Sequence, residues 1–219
     1  MNGLALCAGV GMLDEGLRTG FEYFGIGYRT VAYVEREAYA AASLVARMED
    51  GALDQAPVWS DLTTFDSAAW RGKLDCVTAG FPCQPHSVAG KRKGLDDDRW
   101  IWPNIVDIIR ASGAWLIWLE NVTGLVSTGG LAACLEDLSA LGFNAEWGVL
   151  SAGEVGASHR RERLFILAHR HSERIDREKV DESRADQLRA IGNGVVPLQA
   201  AAAFVLLARR AGIFEGGVT

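Results

Sequence analysis

Hydrophobic and polar positions fall along this chain in blocks of two kinds. Gly3 to Ala8 (GLALCA), Arg29 to Val34 (RTVAYV), Pro57 to Ser60 and Leu74 to Ala79 (LDCVTA) have the length and content of strands. Trp115 to Leu119 (WLIWL) is nearly all apolar, as expected of a strand buried on both faces. Helical spacing governs Met12 to Gly20, the alanine-rich Glu37 to Glu49, and Ile101 to Arg110. Ala145 to Ser151 and Arg163 to Ala168 read as two strands joined by a Gly-containing loop, and a last helix runs from about Pro197 to Arg210. Strands alternating with helices predict an α/β domain with a mostly parallel central sheet. His169 to Asp186 (HRHSERIDREKVDESRAD) breaks the pattern. It is dense in charge with almost no core-forming residue, and reads as an exposed helix or a linker.

Composition narrows the class. With 219 residues, 49% hydrophobic and 23% charged, the chain suits one sizeable core and is short for two domains. No apolar run reaches the ~20 residues that span a bilayer. Met1-Asn2-Gly3 lacks the basic and apolar regions of a secretory leader, so a cytoplasmic protein with reduced thiols is expected. Cys7, Cys76, Cys83 and Cys134 are far apart and lack metal-knuckle spacing, so neither a metal nor a disulfide framework is expected. A net charge of −6 argues against a nucleic-acid partner by its sum. Its distribution is uneven, with basic clusters at Lys91-Arg92-Lys93 and at Arg160, Arg161, Arg163, Arg170 and Arg174. Either cluster alone is ordinarily a solvated face.

Candidate chemistry gathers at strand ends. Gly9-Val10-Gly11 follows the first strand and lets backbone approach a ligand at a helix N-terminus, although such a turn is often only a tight turn. Glu35 closes the second strand, where an acid accepts ribose hydroxyls. A dinucleotide fingerprint wants glycine where Asp14 stands, and a carboxylate there repels pyrophosphate. A nucleoside cofactor without phosphates, such as S-adenosylmethionine, fits better. Cys83, in Ala79-Gly80-Phe81-Pro82-Cys83-Gln84-Pro85-His86-Ser87, sits just past the fourth strand on the edge where α/β sheets bind ligands. A lone cysteine is usually a buried structural thiol, but two prolines, a glycine and a following basic loop weigh against burial. Glu120 ends the Trp115–Leu119 run on the same edge, as a solvated strand end or as a proton donor in a cleft. Arg161 and Arg163 alternate in an extended segment and so point the same way, placed to hold a carboxylate, a phosphate or a base carbonyl.

Gly9-Val10-Gly11, Phe81-Pro82-Cys83-Gln84-Pro85, Glu120-Asn121-Val122, Arg161-Glu162-Arg163 and Gly192-Asn193-Gly194-Val195 together resemble the cytosine-C5 DNA methyltransferases, in the family's order from residue 4 to about 205. The resemblance implies a Rossmann-like, S-adenosylmethionine-dependent methyltransferase domain over 1–219 that methylates C5 of a cytosine flipped out of DNA. It implies that Cys83 adds to C6 as a thiolate, that Glu120 protonates N3, that Arg163 holds O2, and that Arg161 supports the site. Cofactor contacts carry over to Gly9, Val10, Gly11, Glu35, Asp61, Leu62 and Asn193, with Trp102 as a further wall of the adenine pocket. Gln84 to Arg99 corresponds to the family's mobile loop over DNA, which answers the objection from net charge.

Departures from the family are specific. Cys7 stands for a Phe that packs on adenine, Met12 for a Gly, His86 for a Phe, and Ala5 for an acid. The family's target recognition domain is replaced by the short segment 169–186, so recognition is loop-borne, or supplied by a separate subunit, or the chain is a shortened form. Two other functions are compatible with the same residues: an RNA cytosine-5 methyltransferase, and a catalytically silent partner of DNA or of another methyltransferase. Restriction protection, prophage self-marking and an orphan role all fit.

Overall fold

The structure, a computed structural model, describes residues 1–82, 100–170 and 195–214. The apolar run at the start forms β1 (Asn2–Leu6), which ends in a turn where Cys7, Gly9 and Gly11 take φ of 50°, 56° and 83°. Then follow α1 (Met12–Tyr23), β2 (Arg29–Val34), α2 (Ala38–Glu49), a short β3 (Val58–Trp59), two 3-10 turns (Leu62–Thr64 and Ser67–Trp70) and β4 (Cys76–Ala79). The second half contains α3 (Trp102–Ser112), β5 (Leu116–Asn121), α4 (Gly124–Ser127), α5 (Gly130–Ala140), β6 (Asn144–Ser151), a 3-10 turn (Ala152–Val155), β7 (Glu162–His169) and α6 (Val195–Ala211).

Seven strands form one sheet in the order β3-β2-β1-β4-β5-β7-β6. The β1–β2, β1–β4, β2–β3 and β4–β5 pairs are parallel. β7 alone is reversed, antiparallel to both β5 and β6. The expected mostly parallel sheet is therefore present, with one reversal the hydrophobic pattern does not announce. The pattern also passed over α4 and α5, and α1 runs three residues past Gly20.

Alternate residues of each strand feed two layers of core. Leu4, Leu6, Val77, Ala79, Ile117, Leu119, Leu164 and Ile166 pack with α3 and α5. The opposite face carries Cys76, Leu116, Trp118, Phe165 and Leu167 against α1 and α6, while Ala5 and Tyr33 meet Leu44 and Met48 of α2. A relay of rings ties α1 to the sheet through α6. Phe21 lies 4.7 Å from Phe204, Phe204 5.4 Å from Trp118, and Trp118 stacks on Phe165 at 5.4 Å. Among the described residues no helix is long and apolar enough to cross a membrane.

Two close contacts hold α6 on α1. A Cβ added at Gly16 would lie 2.5 Å from the Pro197 carbonyl oxygen and 2.7 Å from the Ala200 Cβ, and one at Gly20 would lie 2.6 Å from Phe204 Cδ1. Beneath α1, Asp14 is buried, and its Oδ1 accepts hydrogen bonds from Thr78 Oγ1 (2.8 Å) and the Tyr28 hydroxyl (3.3 Å). The carboxyl therefore faces β4 and the start of β2, where hydroxyl donors hold it, and not the open side of the glycine turn. Burial raises its pKa from 3.8 to about 6.

Gly16→Ala is expected to lower stability by about 1–3 kcal/mol in urea unfolding, because backbone on the facing helix has to move. Asp14 holds its proton more tightly in the folded chain, so its contribution to stability falls as pH rises from 3.8 to about 6. Asp14→Asn removes that slope. Its stability relative to the parent is expected to grow by about 2 kcal/mol between pH 4 and pH 7, read from urea midpoints across that range.

Candidate functional site

Parallel strands end on a common edge, and of the residues singled out from the sequence the described Gly9, Glu35, Glu120 and Arg163 lie there. At the end of β1 the turn amide of Gly9 donates to Glu35 Oε2 (2.6 Å), while Glu35 Oε1 accepts from the Glu37 amide (2.7 Å). Glu35 is buried, and two backbone donors fix its carboxylate across the ends of β1 and β2. Arg47, the only basic residue of α2, donates to the Val10 carbonyl and pairs with Glu15 at 2.6 Å. The sequence carries no signal for that contact. A Cβ at Gly9 would meet nothing within 4 Å, so the turn opens onto free space. Gly11 faces inward instead, 2.6 Å from Leu53 Cδ1 by the same measure.

Asp61 lies past β3 and caps the first 3-10 turn, accepting from the Thr63 amide (2.9 Å) and hydroxyl (2.7 Å). Those two bonds hold its carboxyl below the usual range. Leu62 is half-buried against the main core. Trp102 is not a pocket wall. It is 1% exposed, its ring lies 5.4 Å from Phe81, and its indole N–H donates to Asp137 at 2.8 Å.

Glu120 and Arg163 form an ion pair, Nε to Oε1 at 2.8 Å, with each side chain 21% exposed. The reversed β7 makes the pair possible. Glu120 of β5 stands opposite Phe165 and Asn121 opposite Leu164, so the beginning of β7 lies on the edge where β5 ends. Burial pushes the Glu120 carboxyl up, against the pull of Arg163 and, more weakly, Arg161. Arg161 is exposed and precedes β7. The basic cluster read from the sequence divides here, because Arg170 lies over the Phe143 ring at 4.4 Å and is not on this edge.

Gly80 joins these parts. Its Cβ would sit 3.7 Å from Glu120 Oε2 and 3.9 Å from the Cys7 carbonyl oxygen, so the end of β4, the first turn and the Glu120 carboxylate converge. One residue on, the Asn121 amide donates to the Phe81 carbonyl (3.0 Å), holding the chain two residues ahead of Cys83. Cys83, Asn193, the loop Gln84 to Arg99 and most of segment 169–186 lie outside the described residues. The described thiols at two other positions are unsuited to attack. Burial and the nearby Glu35 raise Cys7 to about 12, and burial raises Cys76 well above 9.0. Among the described residues no group of three or more His, Cys, Asp or Glu could hold a metal ion.

Such an edge, with an oriented acid beside an open glycine turn and a second acid paired to arginine, can hold a ribose and handle a proton a short distance away. The model of the C-5 cytosine-specific DNA methylases matches residues 1–203. The type II methyltransferase M.CviJI of Paramecium bursaria Chlorella virus IL3A is 32% identical over 168 residues, 76% of this chain and 42% of that protein. The type II methyltransferase M.NgoMIV of Neisseria gonorrhoeae is 30% identical over 193 residues, 86% of this chain and 58% of that protein. The chain thus spans about half the length of these curated relatives. The fold matches the S. pombe Dnmt2 methyltransferase with a TM-score of 0.61 at 20% identity, covering 88% of this chain and 57% of that one. It also matches a putative DNA modification methyltransferase encoded within an E. coli prophage, with a TM-score of 0.61 at 19% identity, covering 81% of this chain and 49% of the other. Over nearly its whole length, then, the chain belongs to the C-5 cytosine-specific DNA methylase family.

Proposed function

We propose that the chain transfers a methyl group from S-adenosylmethionine to C5 of cytosine in DNA, acting as a single catalytic domain. The observation that carries this reading is the Glu120–Arg163 pair at 2.8 Å, packed beside Gly80 at the end of β4, three residues before Cys83. Residues at the other end of the edge fit the cofactor. Glu35 keeps free lone pairs for ribose hydroxyls after taking the Gly9 and Glu37 amides. Gly9 leaves room for close approach, and Asp61 and Leu62 lie past β3 for the adenine. Val10, Gly11 and Asn193 complete the set. When bound, S-adenosylmethionine supplies a methyl group activated by its sulfonium.

C5 of cytosine is a poor nucleophile until C6 is attacked. Cys83 adds to C6 as a thiolate, so that electron density moves to C5 and N3. Glu120, whose carboxyl holds its proton more tightly because of burial, donates a proton to N3 and neutralises the charge that develops there. Arg163, bonded through Nε to Glu120 and through Nη1 to the Glu162 carbonyl at 2.8 Å, orients the Glu120 carboxyl and directs Nη2 to O2, while the exposed Arg161 adds positive charge. Once C5 carries the methyl group, solvent water takes the C5 proton, the C5–H electron pair forms the C5=C6 bond as the bond to Cys83 breaks, and N3 returns its proton to Glu120, which restores the aromatic ring, the thiolate and the carboxylic acid. The cytosine is flipped out of the duplex to reach this edge.

Bisulfite sequencing of plasmid and chromosomal DNA from expressing cells, with Cys83→Ala as control, tests the proposal. Methylated cytosines above the control are expected. A short common context assigns recognition to this chain, and scattered sites assign it elsewhere. Absence of methylation above the control overturns the reading in favour of an RNA substrate or a silent partner. Cys83→Ala is expected to abolish transfer with an unchanged urea midpoint. Glu120→Gln is expected to lower kcat by about 10²-fold or more while DNA affinity changes far less, since the proton matters in the transition state; gel-shift and single-turnover assays separate the two.

A further inference from the structure

Gln199 is the one polar side chain in α6 between Pro197 and Ala208, and it is fully buried. Its Nε2 donates to the Leu150 carbonyl at 2.8 Å and to the Arg161 carbonyl at 2.9 Å. Both partners are acceptors, so only the NH2 end of the amide can face them, and Oε1 meets no donor among the described residues. A buried amide left half-satisfied is costly, and a core-facing leucine or methionine would pack here without that cost. The two carbonyls belong to the opposite sides of the β6–β7 hairpin. Arg161 directly precedes β7, and its carbonyl also accepts from the Ala152 amide at 3.2 Å.

Two residues after Arg161, Arg163 reaches Glu120 at 2.8 Å. Glu162 opens β7 in register with Ser151, and Arg163 follows opposite Leu150, the other residue that Gln199 grips. The Gln199 amide therefore clamps both strands at the pair from which the Arg163 side chain departs. Helix α6 itself packs tightly on α1, because Gly16 admits the Pro197 carbonyl and Ala200 at close range.

We infer that Gln199 is a positioning residue, which sets where β7 begins and so aims the Arg163 guanidinium at Glu120. The inference rests on the proposed roles of Glu120 and Arg163 in proton handling. A loss of the clamp lets the start of β7 shift by a fraction of an ångström to an ångström, enough to break a 2.8 Å contact and cost about 10²-fold in rate.

The test uses Gln199→Leu, which retains volume without donors, and Gln199→Glu, whose ionised form offers no donor but whose protonated form offers one. Initial rates with tritiated S-adenosylmethionine and an unmethylated plasmid give kcat and KM, and carboxyl ¹³C NMR follows Glu120, assigned by its loss in Glu120→Gln. Gln199→Leu is expected to lower kcat by about 10- to 100-fold with KM for S-adenosylmethionine little changed. Gln199→Glu, whose buried carboxyl is favoured in its protonated form and so keeps one donor, is expected to lower kcat less than Gln199→Leu and to fall to its level as pH rises and the introduced carboxyl ionises. Glu120 should titrate at higher pH in Gln199→Leu, since Arg163 no longer favours its charged form. A folded Gln199→Leu with parental kcat and a parental Glu120 titration overturns the inference. If the parent transfers no methyl group to the plasmid, the proposed function fails, and the Glu120 titration alone decides for or against Gln199.

Discussion

Glu120 and Arg163 meet because β7 runs against β5, and the rest of the site is built around that reversal. In a fully parallel sheet the residues leading into a strand lie at the edge opposite the one where its neighbours end. A six-residue strand would separate Arg163 from Glu120 by about 20 Å. Insertion of one antiparallel strand between β5 and β6 brings the start of β7 to the carboxyl edge and places a cation against a half-buried acid. The electrostatic result is a balance, in which burial favours the protonated carboxyl and the guanidinium favours the carboxylate. Of the two influences burial is the larger, so the Glu120 carboxyl is raised above its ordinary value despite the guanidinium beside it.

The second constraint is the close approach of α6 to α1. Gly16 and Gly20 remove the side chains that would hold the helices apart, so the Pro197 carbonyl, Ala200 and Phe204 settle directly on α1. Through α1 the contact supports the glycine turn, which is open at Gly9. Through Gln199 it reaches the β6–β7 hairpin and the arginines. One helix–helix contact thus gives the two halves of the edge a common reference. Net charge is beside the point, because the −6 of the whole chain coexists with exposed Arg160 and Arg161 on the edge that matters.

Where the hydrophobic pattern misled, the reason is local. Gly20 looks like a helix terminator, yet α1 continues to Tyr23 because the glycine faces Phe204 and its missing side chain serves packing. Helix α5 (Gly130–Ala140) begins after a Gly129 N-cap with no side-chain cap and carries few polar residues to outline an apolar stripe, so neither a start signal nor a period marks it. Asp14 reads as part of the ligand turn from its spacing, but Thr78 and Tyr28 supply hydroxyl donors from below and draw it into the protein.

By itself the sequence determined the strands, the residues at their ends and the family, since these follow from short-range periodicity and from motifs whose members are neighbours in the chain. Glu35, Glu120 and the Gly9 turn were legible in this way. The direction of β7, the Arg47 hold on the Val10 carbonyl, the Asn121 tether to Phe81 and the Gln199 clamp were decided only in the tertiary structure. Each joins groups some 35 to 55 residues apart, and their meeting depends on how two apolar faces pack, which no local pattern of residues encodes.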